Sequence, residues 1–201
     1  MIIVKVNDSN VILYFDIYEY QKNQTYVVKC SNPKLLPDIP AEKIIINEEH
    51  SITNYHAKRL FSIHELNMYK KLNKYNITPK LFGYTELEGM KYILLEKMRP
   101  LTYYDIYSNI DKYIKQLIDK FLLMQSLGVV HGDLRKNNLL INDENELFIC
   151  NFEDKGYSEP WAAPELLTGK ITKPTLSSDV YSLGCTIWEM IIGEDPMDEC
   201  R

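Results

Sequence analysis

Glycine is scarce in this chain of 201 residues: eight occur in all, and none precedes Gly83. A glycine-rich turn whose backbone N–H groups close on a phosphate is therefore absent from the N-terminal part. Cysteine is scarce as well. Cys30, Cys150, Cys185 and Cys200 lie far apart without a C-x-x-C pair, and three fall in apolar runs. That spacing argues against a zinc or redox motif and for a reducing compartment. No stretch of about 18 apolar residues is present to cross a bilayer, and no cleavable leader pattern opens the chain. A cytoplasmic protein is expected, in a host cell's cytoplasm if the source is a virus or parasite. Positive charge is not in excess, since 23 Lys and Arg face 28 Asp and Glu for a net −5. Nucleic acid and an anionic membrane surface are thus not expected as partners, the small Lys70-Lys71-Lys74 patch notwithstanding.

What remains is an ordinary globular composition, 45% apolar and 25% charged, without repeats or low-complexity tracts. The length suits one domain or two small lobes. Ile2 to Val6, Val11 to Tyr20 and Thr25 to Cys30 read as strands separated by polar turns. After the Pro-containing stretch Ser31 to Lys43, the segment Ser51 to Leu72 has helical spacing, with Leu60, Phe61, Met68 and Leu72 along one side. Lys80 to Glu86 and Met90 to Glu96 read as a hairpin. Helices are expected over Tyr103 to Asn109, Asp111 to Leu127 and Ser177 to Ile192. The second should bury Ile114, Leu117, Ile118 and Phe121; the third is apolar nearly all round and should be buried whole.

The stretch around which these elements are arranged is His131-Gly132-Asp133-Leu134-Arg135-Lys136-Asn137-Asn138. A helix stopped by Gly128 and a short strand at Val129-Val130 lead into it. A hairpin, Leu139-Leu140-Ile141 with Leu147-Phe148-Ile149-Cys150, leads out. A carboxylate and an amide five positions apart, held on a loop by rigid flanks, suit proton acceptance and metal binding. A plain turn is the blander reading. Further along come Ala163-Pro164-Glu165 and Ser178-Asp179-Val180-Tyr181-Ser182-Leu183-Gly184-Cys185, where Asp179 reads by itself as a helix cap. These three ordered motifs, the first of the form H-x-D-x-x-x-x-N, resemble the protein-kinase family.

The resemblance implies an α+β, bilobal kinase-like fold. The N-lobe, residues 1–96, would hold a five-stranded antiparallel sheet and one helix. A hinge at 97–101 would join it to a mostly helical C-lobe, 102–201, truncated before the last helices of a full kinase. It also implies ATP and Mg2+ as cofactors and a protein as substrate or partner. Asp133 would accept the substrate proton, Arg135 would attend the transferred phosphate, and Asn138 would hold magnesium. Val27-Val28-Lys29-Cys30 resembles the strand whose lysine holds the α- and β-phosphates, with Glu65 as that lysine's partner. Taken alone, Lys29 reads as a solvated strand end and Glu65 as a boundary residue. Glu96 and Met98 would stand at the adenine-binding hinge, with Leu95 beside the back pocket. Asp179 would tie down the catalytic loop.

Three departures bear on function. Where the family has D-F-G this chain has Asn151-Phe152-Glu153, so an amide replaces the magnesium carboxylate, with Glu153 as a possible substitute ligand. Gly132 stands in place of the arginine that receives an activation-loop phosphate. Nine residues, Asp154 to Ala162, separate the triplet from Ala163. A pseudokinase that binds a partner kinase or its substrate is the first reading. An active Ser/Thr kinase of low rate is the second, and a small-molecule phosphotransferase, suggested by His131-Gly132-Asp133, the third.

Overall fold

The computed structural model describes residues 2–5, 12–18, 25–30, 55–59, 63–87, 90–152 and 156–196. The chain divides into two compact units, Met1–Leu66 with Pro79–Lys97 and Asn67–Thr78 with Met98–Arg201.

In the first unit, β1 (Ile2–Lys5), β2 (Ile12–Tyr18), β3 (Thr25–Cys30), β4 (Tyr55–Arg59), β5 (Leu81–Leu87) and β6 (Met90–Glu96) make one antiparallel sheet. Their order is β1-β2-β3-β4-β6-β5. Five strands were expected; the sixth is β4, cut from the stretch whose apolar spacing indicated helix throughout. Tyr55–Arg59 pairs on both sides, with Thr25 and Tyr26 of β3 and with residues 92–96 of β6. Ladder hydrogen bonds along two edges satisfy the backbone as fully as a helix does, and tertiary pairing overrides a weak local preference. Helix α1 is correspondingly short, Ile63–Leu72. Pairing register places Thr25, Lys58 and Ile93 opposite one another. Ile93 and Leu95 of β6 are buried.

In the second unit, α2 (Tyr103–Ser108) opens with a capping box in which Thr102 Oγ1 accepts from Asp105 N and Asp105 accepts from Thr102 N. Asp105 also takes both terminal nitrogens of Arg99, each at 2.7 Å. Helix α3 (Ile110–Ser126) buries Tyr113, Leu117, Phe121 and Met124, so the stripe is rotated from the expected one and Ile114 and Ile118 are only half-buried. Gln116 gives a reason, because its Oε1 accepts the Leu147 N–H at 2.8 Å and fixes the helix's rotation. Gly128, at φ +63°, follows the end of α3. No strand follows at Val129-Val130. The Val129 N–H donates back to Met124 O at 3.2 Å and leaves no ladder donor there.

The expected hairpin is present as β8 (Leu139–Ile141) and β9 (Leu147–Ile149), with β7 (Arg99–Pro100) added beside β8. Helix α4 (Pro164–Leu167) is one turn, and α5 (Leu176–Ile192) ends at Gly193 in the left-handed region. The buried face of α5 overturns the expectation of an apolar helix sunk in a core. Ser178, Asp179, Ser182, Thr186, Glu189 and Met190 are buried, while Val180 and Ile191 are about half exposed, at 54% and 50%. The polar stripe faces inward because it has partners: Ser182 Oγ donates to Trp161 O at 2.8 Å and Thr186 Oγ1 to Leu134 O at 3.1 Å. Among the described residues no helix is long and apolar enough to cross a membrane.

Candidate functional site

The loop from His131 to Asn138 is held from two directions. From α5, Asp179 accepts the His131 N–H at 2.6 Å and the Gly132 N–H at 2.9 Å, one on each carboxylate oxygen. Burial pushes the Asp179 carboxyl up, and the two backbone donors oppose that shift. From the other side, a column of buried rings runs through the unit: Tyr69 meets Phe152 edge-on with centroids 5.7 Å apart, and Phe152 lies 4.8 Å from His131. His131 Nε2 donates to Cys150 O at 2.9 Å, because a carbonyl only accepts, and so Nδ1 accepts the Asp133 N–H at 3.2 Å. The imidazole is thereby fixed as the Nε2–H tautomer.

Gly132 has φ +85°, a left-handed backbone in which an added Cβ would lie 3.2 Å from Pro174 Cγ. A side chain at this position would be strained, since L residues pay a steric cost at such φ and Pro174 would have to give way.

Asp133 is engaged on both oxygens. Oδ1 accepts the Ser158 N–H at 2.8 Å; Oδ2 lies 3.3 Å from Asn138 Nδ2 and 3.3 Å from Arg135 Nε. The Arg135 contact is an ion pair without hydrogen-bond geometry, and the guanidinium sits 5.6 Å from the Trp161 ring. The structure therefore brings Asp133, Arg135, Asn138 and Asn151 together. A 3-10 turn over Lys136–Asn138 turns the buried Asn138 side chain inward. Its Nδ2 donates to Asp133 O at 2.6 Å, and its Oδ1 accepts from Asn151 Nδ2 at 2.7 Å. Asn151 follows β9 in left-handed conformation, φ +68°, which asparagine tolerates. Its own N–H donates to Tyr69 Oη at 3.3 Å.

Sequence reasoning overlooked Glu189. Its side chain is 2% exposed on α5; Oε2 accepts Trp161 Nε1–H at 2.9 Å and Lys136 N–H at 3.4 Å, and Oε1 accepts Tyr103 O–H at 3.4 Å. Burial raises this carboxyl above its ordinary range. Burial also lifts the Tyr103 phenol to about 12, helped by the Glu189 charge. A second acidic residue in an apolar helix, ten after Asp179, was the available signal.

Glu65 is completely buried in the first unit. Glu96 and Met98 are half-buried, with Glu96 N donating to Lys80 O at 2.8 Å. Lys29 lies on β3 beyond Thr25 and Tyr26, the residues of β3 that pair with β4. Lys58, not singled out from the sequence, is paired on both sides, to Thr25 and to Ile93 of the strand that runs into Glu96 and Met98. Along the strand direction the two lysine positions stand about 13 Å apart at ~3.3 Å per residue. Glu153, the possible substitute ligand, lies outside the described residues.

A family model described as the protein kinase domain matches residues 27–200. The chain is 31% identical over 163 residues to the "Probable serine/threonine-protein kinase samkB" of Dictyostelium discoideum, an alignment covering 67% of this chain and 27% of that protein. It is 30% identical over 193 residues to the "Probable serine/threonine-protein kinase CCRP1" of Zea mays, covering 86% and 29%. With the "Cytokinesis protein sepH" of Aspergillus niger the identity is 27% over 151 residues, covering 66% and 11%. The chain thus spans less than a third of the length of the curated relatives it matches.

Proposed function

The chain belongs to the protein kinase domain family, and from that premise we propose that it is a catalytically impaired member, a pseudokinase that acts by binding a partner kinase or that kinase's substrate. One observation carries this reading. Where the magnesium carboxylate belongs, Asn151 presents a neutral amide, and it presents the donor end of that amide to Asn138. Loss of one unit charge at about 4 Å removes roughly 4 kcal/mol of attraction at an effective dielectric near 20, on the order of a thousandfold in rate. The side chains of Asn138 and Asn151 do not fit a magnesium ion as they stand. Among the described residues no cluster of three or more His, Cys, Asp or Glu side chains offers another place for one.

A second reading, a Ser/Thr kinase of low rate, is favoured by how completely the rest of the loop is built. Asp133 is fixed by Ser158, Asn138 and Arg135, and the loop beneath it by Asp179 and the His131–Phe152–Tyr69 column. On that reading Asp133 accepts the proton of a Ser or Thr hydroxyl of a protein substrate, and Arg135 offsets charge on the transferred group. ATP would be anchored through Lys58 in preference to Lys29, with Glu65 as partner, and its base at the hinge by Glu96 and Met98. Lys58 is preferred because that residue is itself paired on both sides, whereas among the described residues Lys29 pairs only with Tyr14 of β2, and because β4 leads the chain directly towards α1.

The test is γ-phosphate transfer from labelled ATP to a generic basic protein, by the unaltered chain and by Asp133→Asn. Pseudokinase behaviour predicts background transfer from both. Turnover in the usual kinase range of about 1–100 per second, abolished by Asp133→Asn, would refute it. Nucleotide binding lost in Lys58→Ala and kept in Lys29→Ala would support the choice of lysine; the reverse pattern would return the role to Lys29.

A further inference from the structure

We infer that the Asn138–Asn151 amide pair replaces the divalent cation, so that the loop is closed and any nucleotide is taken without a metal ion. The inference rests on the kinase-like reading above and deepens it. The orientation of the pair follows from its surroundings. Asp133 O is a carbonyl and only accepts, so Asn138 must turn Nδ2 towards it, at 2.6 Å, and Oδ1 away. Asn151 must then meet that oxygen with its own Nδ2, at 2.7 Å. The Asn138 oxygen that would meet a cation is thus already taken by Asn151, and the Asn151 atom turned towards it carries hydrogens.

Magnesium demands oxygen ligands at about 2.0–2.1 Å in octahedral array. To supply a second oxygen beside Asn138 Oδ1, Asn151 would have to turn over and break the bond. No charge would be gained in return. The hydrogen bond between the two amides does the mechanical part of a cation's work, because it ties Asn151, the second residue past β9, to the 3-10 turn of the catalytic loop. Unlike a metal bridge, it depends on neither cation concentration nor chelators.

Asn151→Asp separates the alternatives. Aspartate tolerates the left-handed backbone of this position as asparagine does. In the variant two acceptor oxygens face each other, a repulsion that a bound cation relieves. Mn2+ is the probe, followed by paramagnetic broadening of the Asn138 side-chain NH2 resonances. The unaltered chain should show no site-specific broadening at ion concentrations that broaden Asn151→Asp, the affinities differing by about a thousandfold. Equal broadening in both proteins, or none in either, would overturn the inference. A Glu153→Gln variant serves as a check: broadening of the unaltered chain that this change removes would assign the metal to Glu153 and count against the amide pair. Should Asn151→Asp not fold, the unaltered chain still decides. Its Asn151 side-chain NH2 should exchange slowly with water and identically in EDTA and in MgCl2, and rapid or magnesium-sensitive exchange would contradict the bond.

A fluorescent ATP analogue, titrated in EDTA and in MgCl2, separates this inference from the reading beneath it. Equal affinities support both. Affinity raised about tenfold or more by magnesium overturns the inference and leaves nucleotide binding intact. No binding in either buffer removes the nucleotide from the proposed function, and the Mn2+ result alone then judges the amide pair.

Discussion

Glu189 is the buried charge on which three parts of the helical unit meet, and replacing it separates hydrogen bonding from charge. In Glu189→Leu the Trp161 indole loses its acceptor in a place where that ring is 5% exposed. A buried donor left unsatisfied costs roughly 1–3 kcal/mol. Lys136 and Tyr103 are half-buried residues, and water can replace part of what their N–H and O–H groups lose. The expected loss is therefore about 2–4 kcal/mol. Glu189→Gln removes the charge and keeps an acceptor oxygen for Trp161, while its NH2 end can meet the Tyr103 hydroxyl, which also accepts.

Because burial raises the Glu189 carboxyl in the fold, against the opposing pull of Lys136 and with a small push from Asp195, the folded state holds its proton to higher pH than the unfolded chain does. The native protein thus loses stability as pH rises from the unfolded value near 4.5 through the raised folded value. The limiting slope from this group is about 1.4 kcal/mol per pH unit. The glutamine variant lacks that slope, so it should gain on the unaltered protein as pH rises through this window. Urea unfolding at about pH 5 and about pH 8, read by Trp161 and Trp188 fluorescence, measures the difference. A glutamine variant as unstable as the leucine variant at both pH values would refute the argument, as would a difference independent of pH.

Other positions give sharper local tests. Gly132→Ala should lose about 1–2 kcal/mol in chemical denaturation, from its positive φ and the close approach to Pro174. Asp105→Asn should cost about 1–2 kcal/mol at neutral pH, discounting the ion pair because Arg99 is 50% exposed. The Arg99 guanidinium holds the Asp105 carboxyl well below the usual range. Its contribution is present above pH ~4 and fades as acid approaches the depressed value, so the gap between the two proteins should close in acid melts. Ser158→Asp sets a second carboxylate next to Asp133, whose Oδ1 already takes the Ser158 N–H. Phosphotransfer assays should show no activation by it, and a rise would restore regulation through this segment.

Local signals carried well. The Asp133 to Asn138 loop and the hairpin after it are contiguous, and their turn residues and spacing leave few alternatives. The Asn151 substitution was visible because it lies at a fixed distance beyond them. What the sequence concealed depends on partners distant in the chain. β4 exists because β3 and β6 flank it, and no pattern within Tyr55–Arg59 announces that pairing. α3 is turned by Gln116 meeting Leu147 N. The inward face of α5 is polar because Asp179, Ser182, Thr186 and Glu189 each find backbone or indole partners from the loops they support. Hydropathy cannot weigh such bonds, and for that helix it indicates the wrong face.

The central claim, that a missing carboxylate at position 151 is what impairs phosphoryl transfer, is tested most directly by single-turnover γ-phosphate transfer in the unaltered chain and in Asn151→Asp, both with MgCl2. The account predicts a variant faster by a hundredfold or more, towards the roughly thousandfold worth of one such charge. An unaltered chain that transfers as fast as the variant would contradict it.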